Sequence, residues 1–339
     1  MLFQNMEFHN VDCLEERLGG YMLQRFPEET RRGLGYQDHD RGRMFSQMPV
    51  GCEIRFVTDA HFFRISFAAY EADNRIFVFR GNFLQRVLDL PAGKISTYHI
   101  QEPENWGEVE PEAFRGHRFS SDVWRFVTDK ESAVLFYGAD FVGHEVRPPR
   151  SDEVPGIKWM AYGSSITFGG DAHLGINAYA EKTARLLNLD LYNKSIAGSC
   201  FCDPSVVEYL AGQAGGMNLI TCELGINMLR RFPEEIFKER TYHLIGRLRE
   251  AAPKTKIAVI TPFTAGAAYQ KDPENEGRKR YYAFTEILKA YPDREVTVWD
   301  GREILEDFSG LSADLLHPSD EGHGMMAVSL ANKIKSLLW

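Results

Sequence analysis

Long apolar runs are missing from this chain, and so is any concentration of positive charge. Its 339 residues carry a formal net charge of −9, and the sequence pI is about 5.6. Arg31-Arg32 and Arg230-Arg231 are isolated pairs rather than parts of a basic patch. A surface for nucleic acid or for anionic membranes is therefore not expected. No apolar stretch approaches the length that a membrane span requires.

Cysteine is scarce, and its pattern predicts neither disulfides nor a metal site. The five cysteines are irregularly spaced, at Cys13, Cys52, Cys200, Cys202 and Cys222. The first ten residues contain neither a basic segment nor an apolar one, so no signal peptide is predicted, and reduced thiols in a cytoplasmic protein are expected. No second Cys or His pair accompanies Cys200 and Cys202, and the histidines are scattered. We expect no metal and no other cofactor.

The first part of the chain, residues 1–150, predicts an all-β domain of the sandwich or jelly-roll type. Short runs of strand-forming residues at 52–58, 62–67, 75–80 and 132–137 are separated by turn residues. Before residue 49 we expect polar loop, with one short helix near residues 14–18. Residues 147–152, which include Pro148 and Pro149, are the predicted linker, because consecutive prolines stiffen the chain.

The second part, residues 151–339, alternates strand and helix patterns. Strands are predicted at 157–162, 190–195, 218–224, 256–261 and 295–299. Helices are predicted at 178–187, 204–211, 233–252, 275–291 and 321–338. This alternation indicates a three-layer α/β/α domain around a parallel five-stranded sheet. Ligands of such sheets bind beyond the carboxyl ends of the strands, so the loops that follow the strands are where a site is expected.

A small-residue turn, Gly163-Ser164-Ser165, follows the first of these strands. A serine at a tight turn between strand and helix keeps its hydroxyl free and has backbone N–H groups beside it, as acyl-transfer nucleophiles do. Alone, the turn is a weak signal, because small residues are common in any turn.

Three further loops carry chemistry that matches such a serine. In Asp314-Leu-Leu-His317, the carboxylate can reach the imidazole within one turn, fix its tautomer and leave Nε2 to accept a serine proton. Asn227 follows a predicted strand, and its amide can donate to a developing oxyanion. Gly198 follows another, and its N–H can do the same. Each loop alone is also compatible with an ordinary turn, and Ser319 is a candidate cap for the last helix.

The order of these four blocks resembles that of the SGNH hydrolases, also called the GDSL family, over residues 156–339. The resemblance implies that Ser165 is the nucleophile and that Asp314 and His317 complete a catalytic triad. It implies an oxyanion hole formed by the N–H groups of Ser165 and Gly198 and by the side chain of Asn227. Two positions depart from the family pattern: Ser164 replaces the Asp of Gly-Asp-Ser, and Met228 stands where Asp often follows the Asn.

The run of residues 51–60 resembles, more weakly, the β-sandwich that precedes the SGNH domain in some carbohydrate esterases and in a natural-product acyltransferase. The implied protein is a carboxylic ester hydrolase that removes short acyl groups, acetyl above all, from a small carbohydrate or glycoside. Two alternatives stay open: an acyltransferase that uses the same residues, and a non-catalytic carbohydrate-binding protein. The expected partner is an acylated small molecule, and the resemblance leaves a monomer and a homo-oligomer both open.

For several other residues, the sequence favours an ordinary structural role over a functional one. They comprise loop residues near the nucleophile, a histidine of the last helix, two tryptophans and an arginine pair: Asp171, His173, His323, Trp106, Trp124, Arg230 and Arg231.

Overall fold

The computed structural model describes residues 1–339, and its backbone contacts divide them into two units. The first unit comprises Met1–Pro27, Ser46–Gly156 and Asn188–Asp190. The second comprises Glu28–Phe45, Ile157–Leu187 and Leu191–Trp339. The predicted boundary between residues 150 and 151 stays a prediction.

The first unit is built from short antiparallel strands, as the sequence predicted. These are β1 (Leu2–Phe3), β2 (Met6–His9), β3 (Cys13–Arg17), β4 (Gly20–Gln24), β5 (Glu53–Thr58), β6 (Phe62–Ala69), β7 (Asn74–Arg80), β8 (Phe83–Leu90), β9 (Ser96–Gln101), β10 (Val123–Thr128), β11 (Val134–Asp140) and β12 (Val146–Arg147). The expectation of loop before residue 49 is wrong, since four strands lie there. The helix expected near residues 14–18 is strand β3, which pairs with β4.

Two antiparallel sheets hold these strands. One has the order β1-β2-β5-β10-β7-β8, with β12 paired to β5, and the other has the order β3-β4-β11-β6-β9. Alternate strand residues point to opposite faces, so each sheet can bury one apolar side. The buried aromatic side chains include Phe56, Phe63, Trp124 and Phe126, which belong to one core cluster. The unit is therefore a β-sandwich-like structure.

The second unit has five strands and eight helices. The strands are β13 (Ile157–Tyr162), β14 (Leu189–Asn193, whose first two residues are assigned to the first unit), β15 (Leu219–Glu223), β16 (Lys256–Ile260) and β17 (Val296–Trp299). The helices are α1 (Glu28–Arg32), α2 (Arg41–Ser46, whose last residue is assigned to the first unit), α3 (Ser165–Phe168), α4 (Tyr179–Leu186), α5 (Pro204–Ala214), α6 (Glu234–Ala251), α7 (Glu276–Lys289) and α8 (Asp320–Leu338).

The five strands form one sheet in the order β14-β13-β15-β16-β17, with parallel pairing from β13 through β17. All five residues of β15 are buried, as expected for a strand covered by helices on both faces. The predicted α/β/α architecture is thus confirmed. None of the helices combines the length and apolar character that a membrane crossing needs.

Candidate active site

The hydroxyl of Ser165 and the ring of His317 lie in direct contact. The Ser165 Oγ to His317 Nε2 distance is 2.7 Å, and the His317 Nδ1 to Asp314 Oδ2 distance is 2.6 Å. With Nδ1–H donating to Asp314, the other ring nitrogen is available to accept the serine proton. The three residues that the sequence singled out therefore form one continuous chain of hydrogen bonds, although 152 positions separate Ser165 from His317.

The loop that carries Asp314 and His317 is held by its own backbone. Asp314 Oδ1 accepts the N–H groups of Leu316 and His317 at 2.9 and 3.0 Å. Burial acts to raise the pKa of Asp314, but hydrogen bonds from His317 and from the two backbone N–H groups bring it below its ordinary value. Leu315 has a positive φ of 57°, which is unfavourable for a leucine. Its carbonyl accepts the N–H of Gly266 at 2.6 Å, a contact that holds this conformation.

The turn at the nucleophile depends on two glycines. Ser164 precedes α3 as its N-cap, and its hydroxyl accepts the N–H of Ile166 at 3.2 Å. A Cβ at Gly163 would lie 2.2 Å from Thr167 Oγ1 and 2.8 Å from Glu223 Oε2. A Cβ at Gly170 would lie 2.8 Å from the His317 ring. Both positions must lack a side chain for the turn and the imidazole to approach so closely.

The two predicted oxyanion donors lie on loops that are joined to each other. Gly198 follows β14 and has a φ of 65°, a left-handed conformation that favours glycine. The N–H of Cys200 donates to Asn227 Oδ1 at 3.0 Å, so the amide nitrogen of Asn227 is the atom left to donate. Because β14, β13 and β15 are neighbours in the sheet, the loops that follow them share its carboxyl edge with Ser165.

A buried carboxyl group that the sequence analysis did not assign lies beneath the nucleophile. Glu223, the last residue of β15, is 1% exposed, and its Oε2 accepts the N–H of Ser164 at 2.6 Å and the hydroxyl of Thr167 at 3.2 Å. Its Oε1 is buried without a hydrogen-bond partner. Burial raises the pKa of Glu223 to about 7, against the lowering effect of the hydrogen bonds from Ser164 and Thr167. The sequence did contain a signal for this group, because Glu223 is an acidic residue at the end of an otherwise largely apolar strand.

His323 contacts the backbone just after the nucleophile helix α3. The ring is fully buried, its Nδ1 accepts the N–H of Tyr179 at 3.2 Å, and its Nε2 donates to the carbonyl of Gly170 at 3.0 Å. Burial lowers the pKa of His323 to about 4, so the ring is neutral near pH 7. The interpretation of His323 as an ordinary helix-face residue is therefore wrong: it connects α8 to the turn that follows the nucleophile.

The remaining candidates divide into loop and core residues. Asp171 is exposed, and its carboxylate lies within 4.8 Å of the ligand atoms of Asp314 and His317, so these three are the residues that could approach a metal ion. Trp124 is fully buried in the β-sandwich core, and Trp106 packs against Phe114 at 4.7 Å between ring centroids. Packing was the role that the sequence favoured for both tryptophans.

The parallel sheet brings Ser165, His317 and Asp314 together at its carboxyl edge, and this arrangement fits an enzyme that acts on carboxylic esters. Residues 161–325 match the GDSL-like Lipase/Acylhydrolase family, so the chain contains a GDSL-like domain. The resemblance stated from the sequence is confirmed. No curated protein sequence matches the chain.

Solved structures share the whole fold at low sequence identity. The salicylyl-acyltransferase SsfX3 from a tetracycline biosynthetic pathway is 16% identical with a TM-score of 0.79, over 98% of this chain and 95% of its own. A family two carbohydrate esterase from Clostridium thermocellum, in complex with cellohexaose, is 15% identical with a TM-score of 0.62, over 98% of both chains. The acetyl xylan esterase Est2A from Butyrivibrio proteoclasticus is 12% identical with a TM-score of 0.58, over 99% of this chain and 96% of its own.

Proposed function

We propose that the protein is a serine esterase that hydrolyses short acyl esters, acetyl above all, of a carbohydrate or glycoside. The observation that carries the proposal is the hydrogen-bonded chain from Ser165 through His317 to Asp314. The carbohydrate esterases of the same fold support the substrate class. A cytoplasmic location is part of the proposal, and the five free cysteines support it.

In the first half of the reaction, Ser165 Oγ attacks the ester carbonyl carbon while its proton moves to His317 Nε2. The negative charge that develops on the carbonyl oxygen is stabilised by the N–H groups of Ser165 and Gly198 and by the amide of Asn227. The bond to the alcohol oxygen then breaks, and His317 gives the proton to the departing alcohol. An acyl-enzyme remains on Ser165.

In the second half, water attacks the acyl-enzyme and gives its proton to His317. The bond between the acyl carbon and Ser165 Oγ breaks, and the proton returns to the serine, so the products are one alcohol and one carboxylic acid. Asp314 remains ionised throughout and stabilises the imidazolium that forms in each half. Neither half requires a cofactor.

Acyl transfer to an alcohol is the second candidate. It uses the same acyl-enzyme, with an alcohol instead of water as the second nucleophile. The cleft that Asn227 and Asp314 line has a volume of about 890 Å³. A cleft of this size has room for an acceptor alcohol beside an acyl group, and this supports acyl transfer as the second candidate. The likeness to an acyltransferase is a likeness of fold.

The test is hydrolysis of 4-nitrophenyl acetate, butyrate and octanoate by the wild type, Ser165→Ala and Ser164→Ala, with acetate release from acetylated sugars alongside. The proposal predicts the highest activity on acetate and loss of all activity in Ser165→Ala only. Rapid formation of acyl-enzyme without turnover, relieved by an added alcohol, would favour the transferase. No reaction with any ester and no acyl-enzyme would contradict both candidates.

A further inference from the structure

The cleft of about 890 Å³ extends from Asn227 and Asp314 toward the end of the loop that follows β15. Apolar residues that neighbour Asn227 and Asp314 in the chain also line it: Ile226 and Leu229 are nearly buried, and Leu315 is half exposed. Arg230 and Arg231 lie farther along the same loop and line the same cleft. The lining of this cleft thus combines Asn227 and Asp314 with an apolar wall and two cations.

The two guanidinium groups differ from the arginines around them. Both side chains are exposed, and neither forms an ion pair or a hydrogen bond within the protein. Several other arginines of the second unit are paired with acids: Arg240 pairs with Asp203 at 3.2 Å, and Arg302 pairs with Asp300 at 2.6 Å. In a chain with a net charge of −9, two adjacent cations without partners beside a catalytic cleft form a local positive site.

The charge of Arg231 also reaches the rim of the site. Burial and, after it, the charge of Arg231 lower the pKa of His39. The His39 ring lies 3.4 Å from the hydroxyl of Ser199, the residue that follows Gly198. The charge of Arg231 therefore acts on a ring that contacts the residue after Gly198.

We infer that the ester cleaved at Ser165 carries an anionic group, a carboxylate or a phosphate, that binds Arg230 and Arg231. This inference rests on the proposed function, and it narrows the substrate class from neutral acyl sugars to acidic esters. A planar guanidinium can donate two parallel hydrogen bonds to a carboxylate or a phosphate, which makes arginine selective for such groups. The anion belongs either to the acyl group or to the alcohol.

The experiment compares charged and neutral esters of matched shape. For an anion on the acyl group, the probes are 4-nitrophenyl hydrogen adipate and its methyl ester. For an anion on the alcohol, they are 3-acetoxybenzoate and its methyl ester. The ratio of kcat/KM for the charged and the neutral ester is measured for the wild type, Arg230→Gln, Arg231→Gln and the double variant. Arg294→Gln removes an exposed arginine that does not line the cleft and is the matched control.

The inference predicts that the double variant lowers this ratio by about 10-fold or more for one pair of probes, the size expected for a charge-assisted hydrogen bond. The affected pair identifies the part of the ester that carries the anion, and Arg294→Gln keeps the wild-type ratio. Unchanged ratios for both pairs, with all four esters hydrolysed, would overturn the inference and leave the proposed function intact. A wild type that neither hydrolyses any of the four esters nor reacts with a fluorophosphonate would overturn both.

Discussion

The carboxylate of Glu223 accepts the backbone N–H of Ser164 at 2.6 Å, directly before the nucleophile. The same oxygen accepts the hydroxyl of Thr167, so the end of β15 is joined to both ends of the turn that presents Ser165. This arrangement places an acidic group in a fully buried position, with a raised pKa of about 7. The nucleophile is thus held by a carboxyl group that changes charge near neutral pH.

The first prediction concerns the stability that depends on Glu223. The pKa of Glu223 is raised from an ordinary value of 4.5 to about 7 on folding. Between these two pH values the folded state therefore keeps a proton that the unfolded state has lost. The stability that this proton supplies is complete below pH 4.5 and is lost as the pH rises through 7, a change of about 3 kcal/mol. The free energy of unfolding of the wild type and of Glu223→Gln is measured by urea unfolding at pH 4.5 and at pH 8. The change in the difference between the two proteins gives the contribution of this proton.

Glu306→Gln is the control, because Glu306 is an exposed loop residue. The control is expected to follow the wild type at both pH values, whereas Glu223→Gln gains stability relative to the wild type as the pH rises. A Glu223→Gln protein whose stability parallels the wild type from pH 4.5 to 8 would show that this carboxyl group does not titrate in that window.

The second prediction concerns Asn227. Its carbonyl oxygen is occupied by the N–H of Cys200, so the amide nitrogen is the donor available to the oxyanion. Asn227→Ala is expected to lower kcat by about 10²–10³ with little change in KM, because the donor acts in the transition state. Steady-state kinetics on 4-nitrophenyl acetate measure this. A raised KM with kcat unchanged would assign Asn227 to substrate binding instead.

The third prediction concerns the space around His317. A methyl group at Gly170 would lie 2.8 Å from the imidazole ring, so Gly170→Ala is expected to displace the ring from Ser165 and to lower kcat by about 10-fold or more. Gly212→Ala is the matched control: it lies in α5 with no atom within 4 Å of the added Cβ. The control is expected to keep full activity and to gain about 0.5–1 kcal/mol of stability. Equal activity in the two variants would contradict the close approach.

The sequence was sufficient for the parts of this structure that depend on local pattern. The strand Ile157–Tyr162 and the start of α5 at Pro204 were predicted with the bounds that the structure has. Ser165, Asp314 and His317 were predicted because the order of their sequence blocks resembles that of the SGNH hydrolases. The positions of these residues relative to one another followed from the topology of a parallel sheet.

The parts that were missed either lack the usual local pattern or depend on contacts between distant residues. Strand β3 contains Glu15, Glu16 and Arg17, and charged residues at consecutive positions do not show the alternation that predicts a strand. The burial of Glu223 depends on Ser164, 59 positions away, and that of His323 on Gly170, 153 positions away. An acidic residue at the end of an apolar strand is a signal for Glu223, but no local pattern identifies the distant partner of either residue.

The central claim is that Ser165 is the nucleophile, and covalent labelling tests it most directly. The wild type, Ser165→Ala and Ser164→Ala are treated with a fluorophosphonate, the added mass is measured on the intact protein, and fragment ions locate it between the two neighbouring serines. The account predicts a single adduct on Ser165 of the wild type and of Ser164→Ala, and none on Ser165→Ala. An adduct on Ser164, or a wild type that stays unlabelled, would contradict it.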